Sequence, residues 1–261
     1  MRLLRRFSKE ILQPSALFRA WLPDNLLQSI ASENNLAETA FFVESNDTYD
    51  LRWFTPTKEV DLCGHATLAA AHVLFQTSAR ERSTVTFQSK SGPLPVFKEG
   101  ELLTLDFPAQ IGKPCEAPLE LIEGLGMTPN QCYAAMDYMA VYEDEATIHS
   151  LSPDFTKLNK LGLRGVIATA PGDKVDFVSR FFAPNYGVNE DHTTGSAHCT
   201  LTPYWSQRLG IDIMDAKQLS KRTGTLKCRL ENDRVFISGK TVSYLEGFIH
   251  INIEPARVSN E

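Results

Sequence analysis

The feature that most constrains this chain is that it repeats itself once. In the first half Arg52-Trp-Phe-Thr-Pro56 precedes Cys63-Gly-His-Ala66, and in the second half Arg180-Phe-Phe-Ala-Pro184 precedes Thr194-Gly-Ser-Ala197. Arg180 follows Arg52 by 128 positions, and Gly195 follows Gly64 by 131. Two further matches keep the same order. Pro153-Asp154 follows Pro23-Asp24 by 130, and Gly224-x-Leu follows Gly92-x-Leu by 132, with a polar turn after each. Collinear matches at nearly constant spacing, close to half of 261 residues, argue for a duplicated α/β unit.

Each unit reads alike. A helix (about Asp24 to Ser32, and Asp154 to Leu163) leads to a strand (Thr39 to Val43, and Gly165 to Ala170) and then a second (Tyr49 to Phe54, and Val175 to Phe182), rich in β-branched and aromatic residues between turn signals. The next helix, Gly64 to Gln76 and Gly195 to Leu209, is apolar almost all round, which predicts a central buried helix. Hairpin strands follow: Thr84 to Gln88 with Leu94 to Phe107, and Leu226 to Ser238 with Val242 to Ile253. The expectation is an α+β fold of two pseudo-symmetric lobes, residues 1–112 and 113–261, in which the C-terminal strand can cross to the first lobe. Tyr133 to Tyr142 reads as the opening strand of the second unit. Its counterpart, Leu4 to Gln13, is charged and a poor strand.

Composition narrows the function. Net charge is −6, so no basic field recruits nucleic acid or an anionic membrane. No apolar run is long enough to span a bilayer, and the interrupted first residues do not make a signal-peptide core. Five cysteines without a CxxC pattern fit reduced thiols in the cytoplasm better than a disulfide framework or a zinc site. His65 and His72, seven apart on an apolar helix, offer no metal spacing, and GxGxxG, P-loop and GxSxG signatures are missing. Trp53, Phe54, Phe181, Phe182 and Trp205 read as core.

Chemistry concentrates at the two central helix starts. Gly64 and Gly195 each open a buried helix, and a helix N-terminus is a ready anion site, so two facing ends suit a small carboxylate. The plainer alternative is that each glycine only eases the turn into its helix. Asn189 to His198 is the densest run of titratable and hydroxyl groups; within it Asp191 is a substrate-contact candidate or an early N-cap. His65 is either a capping histidine or a functional one, and its counterpart Ser196 also hydrogen-bonds. Glu38 sits between apolar Leu36 and Phe41, where desolvation suits a carboxyl group to give and take protons near neutral pH. A solvated glutamate at a helix end is the alternative.

Three segments resemble the PhzF family of phenazine-biosynthesis isomerases: Asn-Leu-Ala-Glu38-Thr-Ala-Phe-Phe, then Trp-Phe-Thr-Pro-x-x-Glu59-Val-Asp-Leu-Cys-Gly-His65-Ala-Thr-Leu-Ala-Ala-Ala, then Phe-Ala-Pro-x-Tyr-Gly-Val-Asn-Glu-Asp191-His-Thr-Thr-Gly-Ser196 through Trp205. The resemblance runs from about Trp21 to near Ile253. It implies the diaminopimelate-epimerase fold, two lobes that are each a strongly curved, mostly antiparallel sheet or barrel around a central helix. By the same resemblance Glu38 is the acid/base residue, His65 and Asp191 are its catalytic companions, and Gly64, Gly195 and Ser196 line the substrate cleft. The implied reaction is a cofactor-independent, metal-free shift of a proton and double bond in a small cyclic or unsaturated carboxylate, in a protein that can form a homodimer. Two departures stand out. Residues 1–20 keep only Phe7 and Pro14-Ser-Ala of the usual opening segments. The related racemases and epimerases carry Cys-Gly at both helix starts, whereas Thr194 stands opposite Cys63 here, which disfavours an amino-acid racemase; a non-catalytic binding protein on the same fold is the other alternative.

Overall fold

The computed structural model describes residues 15–18, 20–247 and 249. The first unit comprises β1 (Ser15–Phe18), α1 (Asp24–Asn34), β2 (Thr39–Ser45), β3 (Thr48–Phe54), β4 (Glu59–Val60), α2 (Gly64–Gln76), β5 (Thr84–Ser89), β6 (Gly92–Glu99) and β7 (Leu102–Pro108). A connecting stretch carries β8 (Lys113–Pro114), α3 (Leu119–Leu125) and β9 (Gln131–Ala134). The second unit comprises β10 (Tyr138–Val141), α4 (Glu145–Ser150), α5 (Phe155–Leu158), β11 (Val166–Pro171), β12 (Phe177–Ala183), a 3-10 turn at Pro184–Tyr186, β13 (Val188–Asp191), α6 (Gly195–Leu209), β14 (Ile213–Gln218), β15 (Gly224–Glu231) and β16 (Arg234–Lys240).

The units pair their strands identically. β1 runs parallel to β2, β3 is antiparallel to β2 and β4 but parallel to β5, and β5, β6 and β7 form a meander. In the same way β10 runs parallel to β11, β12 is antiparallel to β11 and β13 but parallel to β14, and β14, β15 and β16 form a meander. β7 and β16 then pair with each other, antiparallel, and Leu105 lies opposite Ile237. Those two residues are 132 positions apart, the offset of the Gly92 and Gly224 match. Equivalent residues facing each other in an antiparallel pair mark a pseudo-twofold axis, so the duplication is a property of the fold.

Burial follows from the side-chain periods. In β2, Ala40 and Phe42 face the core shared with α2, while Phe41 and Val43 face α1 on the other side; a strand covered on both faces reads as a continuous apolar run. β11 does likewise, with Ile167 inward and Val166, Ala168 and Ala170 toward α3, α4 and α5. α2 is buried except at His72 and Gln76, and its alanines supply the highest helix propensity. The aromatic residues expected in the core are there, and Trp205 is satisfied by its indole N–H donating to Thr169 Oγ1 at 3.0 Å. α6 contains Pro203, whose missing N–H leaves the Cys199 carbonyl without its helical donor. The Gln110 N–H supplies it at 2.9 Å, which docks the segment after β7 onto the second unit's helix.

Several sequence boundaries are corrected. Tyr133 to Tyr142 is not one strand but the hairpin β9–β10, closed where the Ala135 N–H donates to the Asp137 carbonyl. The first strand of unit one is Ser15–Phe18; Leu4 to Gln13 lies outside the described residues. The helix expected from Asp154 to Leu163 is only α5, capped by Asp154 at its start and ended at Asn159 by bonds back to Phe155 and Lys157. Leu94 to Phe107 is two strands, broken by the turn at Gly100. Leu226 to Ser238 is likewise two, broken at Asn232, which adopts the left-handed conformation asparagine tolerates. β14 takes the place of the expected strand at Val242 to Ile253, in which residues 242–247 are not strand. It escapes a pattern search because its inward positions include a glutamine, Gln218.

Candidate active site

Gly64 and Gly195 meet on the pseudo-twofold axis: a Cβ built on Gly64 would stand 3.5 Å from Cα of Gly195. Both central helices therefore point their N-termini at one place. Neither N-cap side chain, Cys63 or Thr194, accepts a hydrogen bond from its own helix, so the partial positive charge of both ends is directed at the space between them. That space is a cleft of about 290 Å³ whose lining includes Glu38, His65, Asp191, Gly64, Gly195 and Ser196. All six residues singled out by sequence thus share it. A larger groove of about 470 Å³ lies over α6 and β9, but its lining offers tyrosines and Arg208 without a carboxylate, histidine or cysteine.

Glu38 precedes β2 and reaches the first turn of α2, where its Oε2 lies 2.9 Å from His65 Nε2. His65 Nδ1 lies 2.9 Å from the Thr193 carbonyl. A carbonyl only accepts, so Nδ1 carries a hydrogen and a single proton lies between Nε2 and the carboxylate. Burial opposes a charge on His65, but Cys63, Asp191 and Glu38 outweigh it and hold the imidazole well above its ordinary 6.5. Cys63 Sγ is 3.4 Å from the same Nε2. Burial, reinforced by Glu38, pushes that thiol up to about 11, so it stays protonated at neutral pH. Asp191 is the last residue of β13 rather than the helix cap; its Oδ2 accepts from Thr194 Oγ1 at 2.6 Å.

The sequence search missed the groups that hold this arrangement. Gln218, fully buried at the end of β14, accepts from the Thr194 N–H at 2.8 Å and donates to the Asp191 carbonyl at 2.8 Å, which fixes the loop before α6. Arg164 grips buried Asp137 through Nε and Nη2 and donates from Nη1 to Ser196 Oγ at 3.0 Å. Its place is the pseudo-symmetric answer to Glu38. Glu38 stands one residue before β2 and touches the second residue of α2; Arg164 stands two before β11 and touches the second residue of α6. The repeat offsets of 128 to 132, applied to Glu38, fall on residues 166–170 within β11 and pass beyond Arg164, so only the fold pairs the two. Nothing in the sequence marks Gln218.

A family model described as "Phenazine biosynthesis-like protein" matches residues 17–247. The chain belongs to this PhzC–PhzF family. Among its relatives, an uncharacterized isomerase of Pseudomonas aeruginosa is 50% identical over 232 residues, covering 89% of this chain and 90% of the relative. A crystal structure of a PhzF-family phenazine biosynthesis protein from Enterococcus faecalis is 42% identical, with a TM-score of 0.90 over 96% of this chain and 98% of that one. A hydroxyproline epimerase from Agrobacterium vitis shares the fold alone, at 9% identity and a TM-score of 0.64 over 95% and 93%. These likenesses bear out the PhzF resemblance and the epimerase-like α+β fold. No helix among the described residues is long and apolar enough to cross a membrane.

Proposed function

We propose that this PhzF-family protein is an isomerase that moves one proton between two carbons of a small cyclic or unsaturated carboxylate, using its own side chains and no cofactor. The observation that carries the reading is the Glu38–His65 pair, 2.9 Å apart, beside two facing helix N-termini. The helix ends hold the substrate carboxylate, as anions are held at such termini. Glu38 takes the proton from one carbon and returns it to another, and His65 keeps that carboxylate in place while supplying or accepting the shared proton. Asp191, anchored through Thr194, orients the substrate and supports the dienol-like intermediate from the other side of the cleft.

Two observations disfavour racemase chemistry, which needs a base on each face. Cys63 is held as a thiol, and its counterpart Thr194 spends its hydroxyl hydrogen on Asp191. The proposal also takes residues 1–112 and 113–261 as the two lobes and the cytoplasm as the setting, where five free thiols persist. A homodimer is compatible with it.

The test is turnover in deuterated water over a panel of cyclic and unsaturated carboxylates. The expected result is deuterium at the accepting carbon, with Glu38→Gln slowed roughly 10²–10⁴-fold while ligand binding is kept. Binding without exchange or conversion across the panel would overturn the isomerase reading in favour of a binding protein.

A further inference from the structure

Three ligand atoms of different chemistry, Cys63 Sγ, His65 Nε2 and a Glu38 carboxylate oxygen, lie within 4.8 Å of one another at the mouth of α2. A thiol, an imidazole and a carboxylate are the donor set of zinc, and three protein ligands with one open position is the arrangement that binds it in accessible sites. The 3.4 Å between Sγ and Nε2 and the 2.9 Å between Nε2 and Oε2 need only open slightly to surround a cation. His65 is already oriented as metal-bound histidines are, its Nδ1–H directed at a backbone carbonyl, so that Nε2 offers a lone pair once the proton it shares with Glu38 leaves. The cleft supplies access and room for a fourth ligand. A close thiol pair elsewhere, Cys115 and Cys132 with sulfurs 3.7 Å apart, brings no third ligand into reach among the described residues.

We propose that Glu38, Cys63 and His65 form a binding site for a thiophilic divalent cation such as Zn²⁺, coordinated by Sγ, Nε2 and a Glu38 oxygen, and that the cation inhibits by occupying the groups that move the proton. Binding releases the thiol proton and the proton shared by Glu38 and His65 to solvent; no oxidation or reduction takes place. The two charges of the cation balance one thiolate and one carboxylate. Coordination is independent of the proton-transfer reading, whereas inhibition rests on it.

The full chain, stripped with a chelator, is titrated with Co²⁺ as a spectroscopic stand-in. A near-ultraviolet thiolate-to-cobalt charge-transfer band and tetrahedral-strength visible bands saturate at a single equivalent, and Zn²⁺ abolishes them. Cys63→Ser loses the charge-transfer band yet folds, because serine is a favoured N-cap. Glu38→Gln binds more weakly by at least the roughly 10–100-fold that loss of an outer-shell partner alone costs. No charge-transfer band, or one that survives in Cys63→Ser and vanishes in Cys132→Ser, overturns the site. Saturating Zn²⁺ that leaves deuterium exchange intact overturns the inhibition and the proton-transfer roles of Glu38 and His65, while the cobalt result still decides the site.

Discussion

Gly64 and Gly195 face each other across the pseudo-twofold axis with space for a methyl group between them. A Cβ on Gly195 would stand 3.6 Å from Cα of Gly64 and meet nothing else within 4 Å, and neither residue has a positive φ. Neither backbone conformation nor crowding therefore demands glycine at these helix starts. What glycine leaves is a bare pair of N–H-bearing ends for a ligand to approach. Gly195→Ala is expected to keep or raise stability, by about 0.4–1 kcal/mol from the stiffer unfolded chain, while binding of small carboxylates weakens. Thermal unfolding and ligand titration on the same variant check this; a destabilised protein with unchanged binding would return the glycine to a structural role.

Arg164 gives a second prediction. Asp137 is 1% exposed and its carboxylate is matched by the Arg164 guanidinium. Arg164→Ala leaves that charge buried alone and is expected to cost about 3–5 kcal/mol, whereas the double variant Arg164→Met with Asp137→Leu recovers most of it. The pair also sets Ser196. Because Arg164 donates to Ser196 Oγ, the serine's own O–H is left to donate into the cleft. Recovery of stability in the double variant should therefore come without recovery of carboxylate binding. Denaturant unfolding separates the two effects, and equal recovery of both would remove Arg164 from the site.

How much of this was legible depended on whether a feature left a trace in residue type. The Gly64 and Gly195 helices were, with their bounds, because an all-round apolar run bounded by glycine admits little else. Glu38, His65 and Asp191 were named as candidates because carboxylates and imidazoles amid apolar neighbours are conspicuous. Arg164 was hidden by its ordinary position in a loop, and only the fold shows it answering Glu38. Gln218 was hidden by a strand that buries a polar side chain where an apolar one is expected. The single strand at Tyr133 to Tyr142 failed at Asp137, whose ion pair to a residue 27 positions away overrides local pattern.

His65 predicts an alkaline limb of stability. Its neighbours hold it well above 6.5 against the opposing effect of burial. The folded state therefore binds the proton more tightly than the unfolded chain, and this contribution is full below pH 6.5 and is lost as pH rises through the folded value. His65→Gln should flatten unfolding free energy against pH on the alkaline side of 6.5. An unchanged slope there would mean that His65 gains nothing from Glu38 and Asp191.

His198 predicts the opposite limb. It is fully buried on α6, where Nδ1 donates to the Thr194 carbonyl at 2.8 Å and Nε2 has no hydrogen-bond partner. Burial pulls it down to about 4, against a smaller opposing effect of the Thr194 bond. The folded state keeps the ring neutral while the unfolded chain takes up a proton near 6.5, so stability is intact above 6.5 and drains as pH falls toward 4. The gap corresponds to about 3 kcal/mol at pH 4. His198→Gln keeps a donor for Thr194 and removes the titration. Its twin in α2, Thr67, already serves this role with a neutral hydroxyl 2.6 Å from the Cys63 carbonyl. The variant is expected to lose some stability at pH 7.5 from imperfect packing, yet to fall by about 3 kcal/mol less than wild type between pH 7.5 and 4. Urea unfolding at the two pH values measures the difference, and parallel losses in both proteins would show that another group governs acid unfolding.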